Sequence, residues 1–170
     1  MEYRMYCLAE RHLSIAQKTI QAAHAIVEYS LKFGDTEEYK HWAKYDKTII
    51  VLDGGNTPDM KADIVNLTDI EYNYEIFMEP DMDNFVTCIA FLADERVFDY
   101  EKYGRNFEEW RNLKILENDR SQMHTDPVTG VTTMNAVYIM PPTYPEWINL
   151  IGGEKQEKVK EIISSKRLAQ

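Results

Sequence analysis

The feature that most constrains the fold is a strand-like run, an amphipathic helical stretch and a second strand-like run, in that order, within the first 52 residues. Residues 3–9 gather Tyr3, Met5, Tyr6, Cys7 and Leu8 around a single charge, Arg4, which is the density of a buried strand. Residues 47–52 centre on the β-branched run Thr48-Ile49-Ile50-Val51, which predicts a central strand covered on both faces. Between them Ser14 is an N-cap with Gln17 at the capping-box position, and good helix formers continue to Phe33-Gly34. This order predicts a right-handed βαβ unit. Along the helix Ala16, Ile20, Ala23, Val27 and Leu31 recur at spacings of four and three, which predicts the face that packs on the sheet. On the opposite side Gln17, Gln21, His24 and Glu28 form one polar row that starts at the helix N-terminus.

Asp53-Gly54-Gly55-Asn56 reads as a turn, and Thr57-Pro58 opens a helix over residues 57–67. Residues 74–78 and 85–93 read as two more strands around the acidic link Glu79-Pro80-Asp81-Met82-Asp83-Asn84. The fold class is therefore α/β: a three-layer arrangement with a mixed sheet of about four strands and helices on both faces. Residues 1–98 are expected to form this core, and 99–170 a C-terminal α+β elaboration packed on it as part of a single domain. Within that extension the pattern predicts a short helix at 107–117, a turn at Asp126-Pro127-Val128-Thr129-Gly130 and a β-like run at 131–140. Pro141-Pro142-Thr143-Tyr144-Pro145 breaks the run, and a last helix at 154–168 carries Val159, Ile162 and Ile163 on one side.

Charge narrows the classes of partner. The chain carries 19 basic and 29 acidic side chains, a formal net charge of -10, which opposes non-specific nucleic-acid binding. The imbalance is confined to residues 51–100, with 2 basic against 12 acidic groups, while 1–50 and 101–170 are each neutral. An anion-binding surface must come from these outer segments. Cys7 and Cys88 lie in apolar runs and are expected as buried thiols rather than a bridge. Met1 leads into Glu2 and Arg4 without an apolar stretch of secretory length, and the longest apolar run, 86–93, is far short of the roughly 20 residues of a membrane span. The expectation is a cytoplasmic protein with no membrane association.

The stretch Leu13-Ser14-Ile15-Ala16-Gln17-Lys18-Thr19-Ile20-Gln21-Ala22-Ala23-His24-Ala25, followed by Lys47-Thr48-Ile49-Ile50-Val51-Leu52, resembles the type II, archaeal and eukaryotic-type, peptidyl-tRNA hydrolase family over about residues 3–93. The family's carboxylate-bearing loop and threonine strand find their counterparts in Glu79-Pro80-Asp81 and Thr87-Cys88-Ile89-Ala90. The resemblance implies cofactor-independent hydrolysis of the ester between peptide and tRNA. It also implies contact with the tRNA 3′ end and a homodimer. It assigns catalysis to Gln21, His24, Glu79, Asp81 and Thr87, and substrate binding to Ser14, Gln17 and Lys18.

Such hydrolysis needs an oriented water, an acceptor for its proton and a donor for the developing oxyanion. The Gln17–His24 row, beginning at a helix N-terminus, suits the donor side, and Glu79 or Asp81 suits the acceptor. Two departures separate the chain from the family. Gln17 stands at the position of the family's first-turn lysine, which leaves Lys18 turned about 100° around the axis, and the family's Gly/Arg/Thr-rich loop is replaced by a short acidic link. They favour the alternative of a catalytically weakened relative that binds protein or RNA, with the C-terminal extension as the surface for a protein partner. No metal is expected. Asp81, Asp83 and Asn84 lack the glycine and glutamate of a calcium loop, and His12, His24, His41 and His124 share no ligand spacing. No nucleotide cofactor is expected, because Gly54-Gly55 lacks the rest of a phosphate loop.

Overall fold

The structure is a computed structural model that describes residues 1–82, 85–121, 123–134 and 140–169. Its elements are β1 (Tyr3–Glu10), α1 (Ile15–Phe33), α2 (Glu37–His41), β2 (Thr48–Gly55), α3 (Thr57–Asp69), β3 (Tyr74–Glu79) and β4 (Phe85–Asp94). The C-terminal half adds α4 (Glu95–Phe98), α5 (Tyr100–Tyr103), α6 (Phe107–Ser121), β5 (Met123–Thr125), β6 (Thr132–Met134), α7 (Tyr144–Ile151) and α8 (Glu154–Ser164). Asp83, Asn84 and residues 135–139 of the expected strand at 131–140 lie outside the described residues.

The main sheet has the order β2-β1-β4-β3, with β1 and β2 parallel and the other pairs antiparallel. Its two faces follow the period of two of a strand. Tyr6 and Leu8 of β1, with Leu52, Ile89 and Phe91, pack under α3, α4 and α8 through Met60, Leu67, Val97, Val159, Ile162 and Ile163. Met5 and Cys7, with Cys88, Ala90 and Leu92, pack under α1 through Ala22, Ala25 and Tyr29. The expected mixed α/β sheet between two helical layers is thus the architecture. Both cysteines are buried free thiols, and the neighbouring Cys7 thiol together with burial raises the Cys88 pKa. No helix among the described residues is long and apolar enough to cross a membrane.

Three expectations are corrected. First, α1 packs through Lys18, Gln21, Ala22, Ala25 and Tyr29, whereas Ile20, Val27 and Leu31 of the expected packing face are 54 %, 54 % and 77 % exposed. The helix carries two apolar stripes, and the one rich in alanine lets its backbone lie close to the sheet. Second, β2 is an edge strand. Its apolar run is shielded by the chain's last residues, where Leu168 bridges Leu52, the Ala169 N–H donates to the Val51 carbonyl, and the Asp53 N–H donates to the Arg167 carbonyl. Third, Asp53-Gly54-Gly55, expected as a turn, continues β2, with Gly55 paired to Glu10 after a register shift. The proline-rich stretch expected to end the β-like run also leads into an additional helix, α7. The Glu146 carboxylate accepts from the Thr143 N–H and hydroxyl, and Pro145 occupies the first turn. Trp147 of this helix is buried, and its indole N–H donates to the Tyr103 carbonyl over 2.8 Å.

Candidate functional site

The candidate site lies where the start of α1 crosses the junction of β3 and β4. The capping box predicted at Ser14 and Gln17 forms: Ser14 Oγ accepts from the Gln17 N–H, and the Gln17 side chain accepts from the Ser14 N–H and hydroxyl. Both side chains are exposed and hold each other. One turn on, Lys18 and Gln21 point at the sheet and are only 5 % and 6 % exposed. The polar row is therefore not one solvent-facing stripe. Gln21 is buried, while Gln17, His24 and Glu28 flank it in water. Lys18 is not turned out of register either, since the i, i+3 spacing puts it on the face of Gln21.

Opposite this face the β3–β4 ladder carries a bulge. Phe77 pairs with Cys88 but Met78 pairs with Val86, which leaves Thr87 unopposed. Strict alternation would send Thr87 to the side of Ile89 and Phe91, whereas a bulged pair points two successive side chains to one face. Thr87 accordingly turns toward α1. Its hydroxyl donates to Gln21 Oε1 over 2.9 Å, with a longer approach of 3.3 Å to the Phe77 carbonyl. Gln21 Nε2 in turn donates to Glu79 Oε2 over 2.6 Å. Glu79 is the last residue of β3 rather than part of the link, and it is half-buried. Held at both ends, the amide of Gln21 has one orientation, oxygen to Thr87 and nitrogen to Glu79.

The structure thus joins Gln21, Thr87 and Glu79 across 66 and 58 residues of sequence. His24 sits one turn beyond, exposed and stacked on Phe77 with ring centroids 4.6 Å apart and 17° between planes. Asp81 is exposed on a short 3-10 turn, Pro80–Met82, so the hydrogen-bonded chain runs through Glu79. Ser14 and Gln17 are spent on the cap.

Three charged groups to which the sequence reading assigns no site role complete the surroundings, all at the carboxyl ends of β1 and β2, the edge at which open α/β sheets bind ligands. Glu10 is 4 % exposed and accepts from the His12 N–H over 2.7 Å, with His12 Nδ1 at 2.8 Å. Arg11 Nε lies 3.0 Å from Asp53 Oδ2. Burial opposes ionisation of Asp53, but the Gly55 N–H, the Arg11 guanidinium and the Lys18 charge outweigh it and hold the carboxyl below its ordinary range. The signal for these residues is positional, since each ends an apolar strand run.

The sequence matches no protein-family model and no protein of curated function.

Proposed function

We propose that the chain is a cofactor-independent hydrolase acting on the ester between a peptide and tRNA. The observation that carries this reading is the Gln21 amide fixed between the Thr87 hydroxyl and the Glu79 carboxylate, beside the buried Lys18. In this reading Glu79 accepts the proton of the attacking water. The second amide N–H of Gln21 and the Lys18 ammonium steady the oxyanion, and exposed His24 donates a proton to the departing ribose oxygen while the proton held by Glu79 passes to solvent, from which His24 is reprotonated. Thr87 is a positioning residue that acts through Gln21. The test is release of label from an N-blocked aminoacyl-tRNA by the wild type and by Gln21→Ala and His24→Ala. Release that falls in both variants supports the reading. No release at high protein concentration refutes the activity, and release unchanged in both variants refutes the site.

A second reading, a relative of these enzymes that binds a protein partner without turnover, is favoured by the cations of the first segment. Arg4 pairs with Glu2, Arg11 with Asp53, Lys32 with Glu75 and Lys40 with Glu37, which reduces the positive charge the first segment offers to RNA phosphates. Filter binding of uncharged tRNA separates the two. Absence of both retention and ester cleavage supports this second reading, and ester turnover refutes it.

A further inference from the structure

Three cations meet around one cavity of about 320 Å³ on the face of the sheet opposite α1. Arg4 comes from β1, Arg105 from the connection between α5 and α6, and Lys166 from the tail after α8. Among the described residues no carboxylate lines this cavity, although the chain as a whole carries a net charge of -10. All three cations belong to the two neutral outer segments, the parts of the sequence able to supply an anion site. Its floor is apolar, built from Ile50, Leu52 and Ile163, and Leu168 stands at its edge 67 % exposed.

The cations are held in place. The Arg4 guanidinium lies 3.8 Å from the centroid of the Phe98 ring, with Glu2 behind it at 2.9 Å. Lys166 is 13 % exposed and pairs with Asp63 at 2.7 Å. Arg105 differs from both. Its guanidinium lies over Tyr100, 5.4 Å from the ring centroid, and makes no ion pair among the described residues. Glu109 accepts from the Arg105 backbone N–H instead. The buried Lys160 ammonium approaches the same tyrosine, 5.0 Å from its centroid. A guanidinium laid on an aromatic ring is weakly hydrated and pre-oriented, so it forms charge-assisted hydrogen bonds at little cost in order. A cavity of this volume sits at the lower end of the range of about 300–1,000 Å³ for small-molecule sites.

We propose that this cavity binds a small organic anion, a carboxylate or phosphate monoester on an apolar body, with Arg105 as the main contact to the charged group. The headgroup takes the guanidinium edge of Arg105, while Arg4, whose Nε is spent on Glu2, and Lys166, paired with Asp63, add only their remaining N–H donors. The body covers the aliphatic floor and the exposed Leu168 side chain.

The test is calorimetric titration of the full chain with benzoate and phenyl phosphate, with benzyl alcohol as the uncharged counterpart. One or both anions are expected to saturate, and which one binds more tightly identifies the headgroup. Arg105→Gln is expected to weaken binding roughly tenfold, the effect of one charge-assisted hydrogen bond, at an unchanged thermal midpoint because the side chain is exposed. Arg4→Gln is expected to weaken it as well. Gln21→Ala, on the other face of the sheet, is expected to leave it intact. The proposal is overturned if benzyl alcohol binds as well as benzoate, if neither anion saturates at about 10 mM, or if both arginine variants keep the wild-type affinity. Loss of binding in Gln21→Ala also overturns it, by moving the anion to the α1 face.

Discussion

Replacing Thr87 by Val removes one hydroxyl from a position that is 0 % exposed and keeps its volume. The hydroxyl donates to Gln21 Oε1, so the variant leaves a buried amide oxygen without a donor, at a cost of about 1–3 kcal/mol. For a domain of this size that is a fall in Tm of roughly 4–8 °C for each 2 kcal/mol. Gln21→Leu removes both hydrogen bonds of the chain. It costs less per bond lost, because the Thr87 hydroxyl retains the Phe77 carbonyl at 3.3 Å and half-buried Glu79 is reached by water. Once Gln21 is leucine there is no amide to orphan, and Thr87→Val is expected to be nearly neutral. The double variant should therefore be about 1–2 kcal/mol more stable than the sum of the singles. Urea unfolding of the four proteins measures this coupling, and Thr87→Ser, which keeps the hydroxyl, should keep the wild-type coupling to Gln21. Additivity within about 0.5 kcal/mol would refute the account of Gln21 as held by Thr87.

Further outcomes follow from other charged and packed positions. Burial outweighs the nearby Asp99, Glu109 and Asp94 and brings the Lys160 ammonium down to about 8 from its ordinary 10.5, while its protons are donated to the Arg96 and Val97 carbonyls over 3.0 Å each. Between those two values the unfolded chain holds a proton that the folded protein has released, so folding stability rises with pH. Relative to Lys160→Met, the wild type should gain about 1.4 kcal/mol per pH unit above 8; a difference that stays flat across urea unfolding at about pH 7, 8.5 and 10 would be wrong for a buried ammonium. Asp53, whose pKa folding also lowers, gives a slope of the same sign, but at the acid end. Its lowered pKa stabilises the fold above the ordinary carboxylate range, so the deficit of Asp53→Asn should be full at neutral pH and fade on acidification, as acid titrations of thermal midpoints will show. On α1, Val27→Asp should change stability by no more than about 0.5 kcal/mol, whereas Ala25→Val, at a position 0 % exposed, should cost about 1–3 kcal/mol through overpacking. The reverse order in chemical denaturation would restore the packing face read from the sequence.

The pattern of residues 1–94 determined the order of elements, because strand runs, caps and turn residues act locally. Tyr3–Glu10, the Ser14 cap, Thr48–Gly55 and the Thr57-Pro58 helix start all lie within two or three residues of their expected places. The α/β class followed from that order. The face of α1 did not, since both of its stripes are apolar, and only the close approach of Ala22 and Ala25 to the sheet selects one. Nor did the edge position of β2, whose β-branched run is equally suited to a covered edge and a centre. The cover is the chain end near Leu168, more than 100 residues away in sequence.

The candidate site divides in the same way. Gln21, Glu79 and Thr87 are singled out one by one through the family resemblance, but their meeting depends on a bulge that sets Thr87 against the alternation of its strand. A bulge is a mismatch between two strands, and neither strand records it alone. Lys18 joined the buried face for a similar reason, because its register is fixed by which stripe of α1 the sheet accepts. The sequence by itself determined the element types and the supply of polar groups at the start of α1. Tertiary structure decided which of those groups are buried together, since burial is a property of two surfaces and a sequence pattern describes one.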